Sequence, residues 1–206
     1  MNAAPFDGPL AGAADTDWSG GWLRIARRCD SPNFGPRPAG MKVDLALLHS
    51  ISLPPGDYGG DGIEALFTNR LDWGAHPYYE QIRGLRVSSH FVIRRDGELI
   101  QFVSCDDRAW HAGTSVWRGR VGCNDFSIGI ELEGLEGRDF EPPQYAVLVD
   151  LLPRLASRYA LQGVAGHEHV APGRKLDPGP GFDWRQLVES LQWPARYFPD
   201  EVTARR

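Results

Sequence analysis

Residues 43–48, Val-Asp-Leu-Ala-Leu-Leu, are apolar but for one Asp, and they run straight into His49 and a segment broken by Pro54, Pro55, Gly56, Gly59 and Gly60. A run this short, closed by chain breakers, reads as a strand buried on both faces. Such a strand needs a layer of other elements on each side. Strands and helices alternate along the rest of the chain and one strand pair is a hairpin, which argues for a mixed sheet with helices packed on its faces.

The rest of the chain supplies those layers. A short strand is expected over 22–25 and a loop over 31–40. Short helices are expected over 63–69 and 77–82. Residues 90–94 and 98–103 form a β-hairpin around Asp96-Gly97, a strong turn dipeptide. Residues 106–124 form a loop rich in Trp, Gly and His. Residues 126–132 return to strand, with one face buried and the other presented. Residues 144–161 place Val147, Leu148, Leu151, Leu152 and Leu155 at helical spacing. Pro153 lies inside this pattern and predicts a kink or a division into two helices. A short strand over 164–166, a Pro/Gly loop over 171–181 and a helix over 184–191 complete the pattern. The expected fold is a single α/β domain, a central mixed β-sheet flanked by helices, over 18–198. Residues 1–17 read as a disordered leader and 199–206 as a tail.

The chain has 206 residues and a formal net charge of -5, which argues against general affinity for nucleic acid or an anionic membrane. Three cysteines, Cys29, Cys105 and Cys123, do not look like a disulfide framework and fit a reducing compartment. The first residues carry Asp7, Asp15 and Asp17 and no basic residue before Arg24, unlike a secretory signal. The expected location is the cytoplasm, with no membrane span.

With three cysteines, a metal site has to draw on His and carboxylate. His49 ends one expected strand, His167 follows another, and Asp177 sits on a stiff loop ten residues beyond His167. Two imidazoles and one carboxylate are a common catalytic zinc set that leaves a position open. Each residue also has a plainer reading: a satisfied core histidine, or an Asx-turn acceptor before Pro178. Glu131 shares a strand face with Glu133. It is a candidate general base, or else a solvated charge. Glu133 reads as a surface charge or a structural pair. Lys175, two residues before Asp177, is a surface lysine or an oxyanion stabiliser. Trp110, His111 and Trp117 form either an aromatic wall for a sugar face or a core satellite cluster. Cys123 reads as an inert thiol rather than a nucleophile. No nucleophile elbow, Walker A loop or Rossmann fingerprint occurs.

Several segments together resemble the AmpD-type N-acetylmuramoyl-L-alanine amidases, which share the type 2 amidase and peptidoglycan-recognition fold. They are His49-Ser-Ile-Ser-Leu-Pro-Pro-Gly, Ala75-His-Pro, Leu85-Arg-Val-Ser, Arg94-Arg-Asp-Gly-Glu, Arg108-Ala-Trp-His-Ala-Gly, Cys123-Asn-Asp-Phe-Ser-Ile-Gly-Ile-Glu-Leu-Glu-Gly, Gly166-His and Lys175-Leu-Asp-Pro-Gly-Pro. The resemblance runs from about Trp22 to Trp184. It implies one Zn2+ on His49, His167 and Asp177, with Glu131 and Lys175 catalytic. It implies cleavage of the lactyl–L-Ala amide of 1,6-anhydromuramyl peptides in peptidoglycan recycling. Arg86 keeps its matching position and is the candidate for a substrate carboxylate. Ser50 stands where the family often has asparagine, and Gly122 where an arginine can occur. Ser50, Trp110 and His111 are the remaining candidate substrate contacts. No protein partner is implied. Three other readings share these residues: a zinc-free peptidoglycan-binding module, an autolysin acting on intact murein, and a zinc hydrolase of some other amide.

Overall fold

The computed structural model describes residues 17–204, so the expected leader lies outside the described residues except for Asp17. At its centre is a six-stranded mixed sheet. In chain order its strands are β1 (Arg27–Arg28), β2 (Leu45–Ile51), β3 (Phe91–Ile93), β4 (Leu99–Gln101), β5 (Ser127–Glu133) and β6 (Gly163–Gly166), arranged in space as β6-β2-β5-β3-β4-β1. The pairs β6–β2, β2–β5, β5–β3 and β4–β1 are parallel, and the β3–β4 hairpin is antiparallel. The expected strand over 22–25 is shorter, Trp22–Leu23, and pairs outside this sheet with Trp18–Ser19.

Among the described residues six α-helices accompany the sheet: α1 (Gly62–Phe67), α2 (Pro77–Gln81), α3 (Pro142–Tyr159), α4 (His167–Val170), α5 (Trp184–Leu191) and α6 (Asp200–Thr203). The last is one turn of helix within the expected tail. The sheet's two faces follow strand alternation. Ala46, Leu48, Ile128, Ile130, Leu132 and Val164 share one cluster with Leu148, Leu151, Leu152 and Leu155 of α3 and Leu187 of α5. On the other face Leu45 and Leu47 pack with Ala112, Cys123, Phe126, Ala165 and Val170. Farther along, α1 contributes Ile63, Leu66 and Phe67 to a cluster with Val92, Ile100 and Phe102.

Two expectations change here. All seven residues of β5 are buried, so neither face meets solvent as the alternation suggested. Elements packed on both sides cover it, and its polar side chains point into protein. The second concerns α3, which is one continuous helix through Pro153 rather than two. An interior proline costs about 3 kcal/mol. The buried face of Leu148, Leu151, Leu152 and Leu155, each at most 1% exposed, contributes about 1.5–3 kcal/mol per side chain and outweighs that cost. Leu152→Ala is expected to destabilise the fold by about 2–5 kcal/mol, as measured by urea denaturation.

Glu133 is a buried structural charge. It is 2% exposed and accepts from Arg94 Nη1 at 3.0 Å, from the Gly59 N–H at 2.7 Å and from the Arg95 N–H at 3.2 Å. Arg94 also donates to the Gly60 carbonyl at 2.7 Å and to Glu64 at 3.0 Å. These contacts tie the loop after β2 to the hairpin.

His90 is fully buried, and its Nδ1 accepts the Gly129 N–H at 2.9 Å. Burial, with help from the nearby Arg37 charge, pushes its pKa down to about 3. The unfolded chain takes up this proton below about pH 6.5 and the folded protein does not. Stability is therefore complete above about 6.5 and falls as pH drops toward 3. Thermal melts across this range are expected to show the fall, and His90→Asn is expected to make it shallower, leaving the share of the other buried histidines.

Candidate active site

The C-terminal ends of the parallel strands β2, β5 and β6 meet at one point, the usual place for a site in such a sheet. In the β2–β5 register His49 lies beside Glu131, on the same face. Gly166 of β6 lies beside Leu48, so the next residue, His167, arrives next to His49. The loop after α4 folds back, and the Glu168 N–H donates to the Asp177 carbonyl at 2.9 Å, which returns Asp177 to the start of that helix. Beyond Asp177, Gly181 lets the loop pass close to the Arg138 backbone, where a Cβ would lie 2.0 Å from the Arg138 carbonyl oxygen.

The result is a compact, buried triad. His49, His167 and Asp177 are 1%, 2% and 5% exposed. His49 Nδ1 lies 3.0 Å from His167 Nδ1, and each of these nitrogens lies 3.1 Å from Asp177 Oδ2. An ion held tetrahedrally at about 2.0–2.1 Å spaces its donors about 3.3–3.4 Å apart, close to these separations.

Proton placement tests whether a cation fits. His167 Nε2 lies 3.0 Å from the Ala112 carbonyl oxygen, which can only accept, so the imidazole proton belongs on Nε2. Arg174 donates to the same carbonyl at 2.7 Å and comes no nearer than 3.4 Å to that nitrogen. His167 Nδ1 thus turns a bare lone pair toward the carboxylate oxygen. Two facing lone pairs repel, and a cation between them removes the conflict. The residues fit a zinc ion.

The electrostatics agree. Burial pushes the His49 pKa down to about 4, so the imidazole is neutral, as ligation requires. Burial, then the Asp177 charge, pushes Glu131 well above the ordinary carboxylate value, while Lys175 pulls it down. Glu131 is 8% exposed, and its Oε2 has no hydrogen-bond partner among the described residues. A buried, unengaged carboxyl with a raised pKa suits a proton carrier.

The other expected site residues divide. Lys175 is exposed on the loop before Asp177, and its charge is felt at both Glu131 and His49. Arg86 is exposed, with no ion pair or hydrogen bond among the described residues. Trp110 is half-buried, and its backbone N–H donates to Ser88 Oγ at 3.1 Å. Trp117 packs on the core cluster of Leu45 and Leu47 rather than standing free. The register puts Ser50 beside Leu132, on the face opposite His49, and its buried hydroxyl has no partner among the described residues. His111 turns its ring onto His49, with Nδ1 2.9 Å from His49 Nε2. Cys123 is buried, and burial pushes its thiol pKa up. The sequence carried no signal for the Ala112 carbonyl, a backbone group that any residue type supplies.

Comparison with known proteins places this geometry in context. A family model described as N-acetylmuramoyl-L-alanine amidase matches residues 39–180, which include the triad, Glu131 and Lys175. The chain is 51% identical to the 1,6-anhydro-N-acetylmuramyl-L-alanine amidase AmpD of Citrobacter freundii over 169 residues, 81% of this chain and 90% of that protein. A crystal structure of a selenomethionine AmpD derivative matches with a TM-score of 0.82 at 49% identity, covering 84% of this chain and 98% of that one. The amidase AmiD of Escherichia coli, solved in complex with anhydro-N-acetylmuramic acid-L-Ala-D-γ-Glu-L-Lys, matches with a TM-score of 0.54 at 28% identity, covering 74% of this chain and 59% of that one. The chain therefore belongs to the N-acetylmuramoyl-L-alanine amidase family.

Proposed function

We propose that the protein is a zinc-dependent amidase that hydrolyses the bond between the muramic acid lactyl group and L-alanine in 1,6-anhydromuramyl peptides, in the cytoplasm, during peptidoglycan recycling. The observation that carries this reading is the convergence of His49 Nδ1, His167 Nδ1 and Asp177 Oδ2 on one point, with the unengaged Glu131 carboxyl on the adjoining strand. Similarity to AmpD over most of both chains supports the substrate, as does the anhydromuramyl peptide held by the related AmiD. No helix among the described residues is long and apolar enough to cross a membrane.

His49, His167 and Asp177 would hold the zinc ion, which when bound would supply Lewis acidity toward water and the lactyl carbonyl. Glu131 takes a proton from the attacking water as its oxygen bonds to the carbonyl carbon. Lys175 adds positive charge where the carbonyl oxygen becomes negative. As the carbon–nitrogen bond breaks, Glu131 returns the proton to the alanine nitrogen. Arg86, with its guanidinium free, pairs with a carboxylate of the peptide. Trp110 precedes His111 in the chain, and its ring is the candidate face for the sugar. Ser50 makes no contact through its side chain in this scheme, because its hydroxyl faces the other side of the sheet.

The test is release of L-alanyl peptide from anhydromuramyl tripeptide before and after chelation, and again after zinc is restored. Activity is expected to vanish with chelator and return with zinc. No cleavage by fully zinc-loaded protein would overturn the substrate assignment. Faster turnover on whole sacculi than on the anhydromuropeptide would favour an autolysin.

A further inference from the structure

Both imidazoles of the triad must keep Nδ1 bare to hold a cation, and the protein has to enforce that choice of proton position. For His167 the Ala112 carbonyl does so directly. For His49 the neighbour is another imidazole, His111, which can donate or accept. The direction is decided farther along. Ser127 Oγ lies 2.6 Å from the Cys123 carbonyl oxygen, which can only accept, so the serine proton is committed there. His111 Nε2 lies 3.3 Å from the same Oγ, which has only a lone pair left to offer, so the His111 proton belongs on Nε2. His111 Nδ1 is then bare and accepts from His49 Nε2 at 2.9 Å. His49 Nδ1 is left without a proton and faces Asp177 and His167.

We infer that His111 is a positioning residue for the metal centre: with Ser127 and the Cys123 carbonyl it forms a one-way hydrogen-bond relay that holds His49 in its metal-binding tautomer. This rests on the zinc reading of the triad. It also reassigns His111 from substrate contact, since both ring nitrogens are engaged inside the protein. The packing is built for the ring. The backbone N–H groups of His111 and Ala112 donate to Asn124 Oδ1 at 3.1 and 2.8 Å. Gly129 leaves the space beneath, where a Cβ would lie 2.6 Å from His111 Cγ.

The test is zinc affinity, measured by competition with a chromogenic chelator at fixed pH. His111→Phe keeps a ring over Gly129 but cannot accept from His49, and is expected to bind zinc about 10–100-fold more weakly. His111→Asn puts a carboxamide oxygen near the lost Nδ1 and is expected to recover most of that loss. Ser127→Ala frees His111 to turn its proton toward His49, and is expected to weaken zinc in the same direction. Nitrogen-15 spectra of the zinc-loaded wild type are expected to show His111 and His49 both protonated at Nε2. Wild-type affinity in His111→Phe, or a proton on His111 Nδ1, would overturn the relay. If His111→Phe does not fold, Ser127→Ala and the ring spectra decide. A wild type that binds no zinc would instead overturn the reading beneath it.

Discussion

Glu131→Gln is expected to retain one zinc per chain and to lose about 10²–10⁴-fold in turnover, the usual contribution of a positioned general acid–base. The carboxyl lies beside His49 in the strand register but is not one of the converging donors, so metal content should not change. Its surroundings prepare it for proton transfer. Burial and the Asp177 charge raise its affinity for a proton, Lys175 moderates the rise, and among the described residues no neighbour holds its Oε2. Glutamine keeps the shape and cannot carry the proton. Zinc content and L-alanyl peptide release are measured on the same preparation. A near-normal rate with zinc bound would remove Glu131 from the mechanism.

Arg94→Met is expected to destabilise the protein by about 3–5 kcal/mol, because it leaves the Glu133 carboxylate buried without its counter-charge. The two remaining backbone donors, from Gly59 and Arg95, satisfy hydrogen bonding but carry no full charge. The same substitution removes the bond that holds the Gly60 carbonyl, so the loop between β2 and α1 is expected to loosen as well. Urea denaturation measures the first effect, and proteolytic cleavage in the loop measures the second. An unchanged denaturation midpoint would show that water or a shifted side chain replaces the arginine.

Much of this protein was legible in its residues. The short apolar run before His49 predicted a strand covered on both faces, and Asp96-Gly97 predicted the β3–β4 hairpin. The α5 helix begins and ends where its pattern does, at Trp184 and Leu191. These are local properties: periodicity, turn chemistry and chain breakers act within a few residues. The chemical types at His49, His167 and Asp177 offered a metal-ligand set beside plainer readings, and the three donors do cluster in the structure.

Other features belong to the tertiary structure. Spacing along the chain could not bring His49 within 3.0 Å of His167, 118 residues away; the parallel register of β2 with β6 does that. Helical spacing and a proline suggested a kink or two helices, and α3 runs on as one helix through Pro153, packed against the sheet. Alternation suggested an exposed face on β5, and the layers on both sides removed it. The sequence showed His111 as an aromatic near Trp110, whereas the fold engages both its nitrogens between His49 and Ser127. Local sequence determined which groups are present and which segments extend or coil. Which lone pairs meet depends on contacts between distant segments, and only the packed sheet decided that.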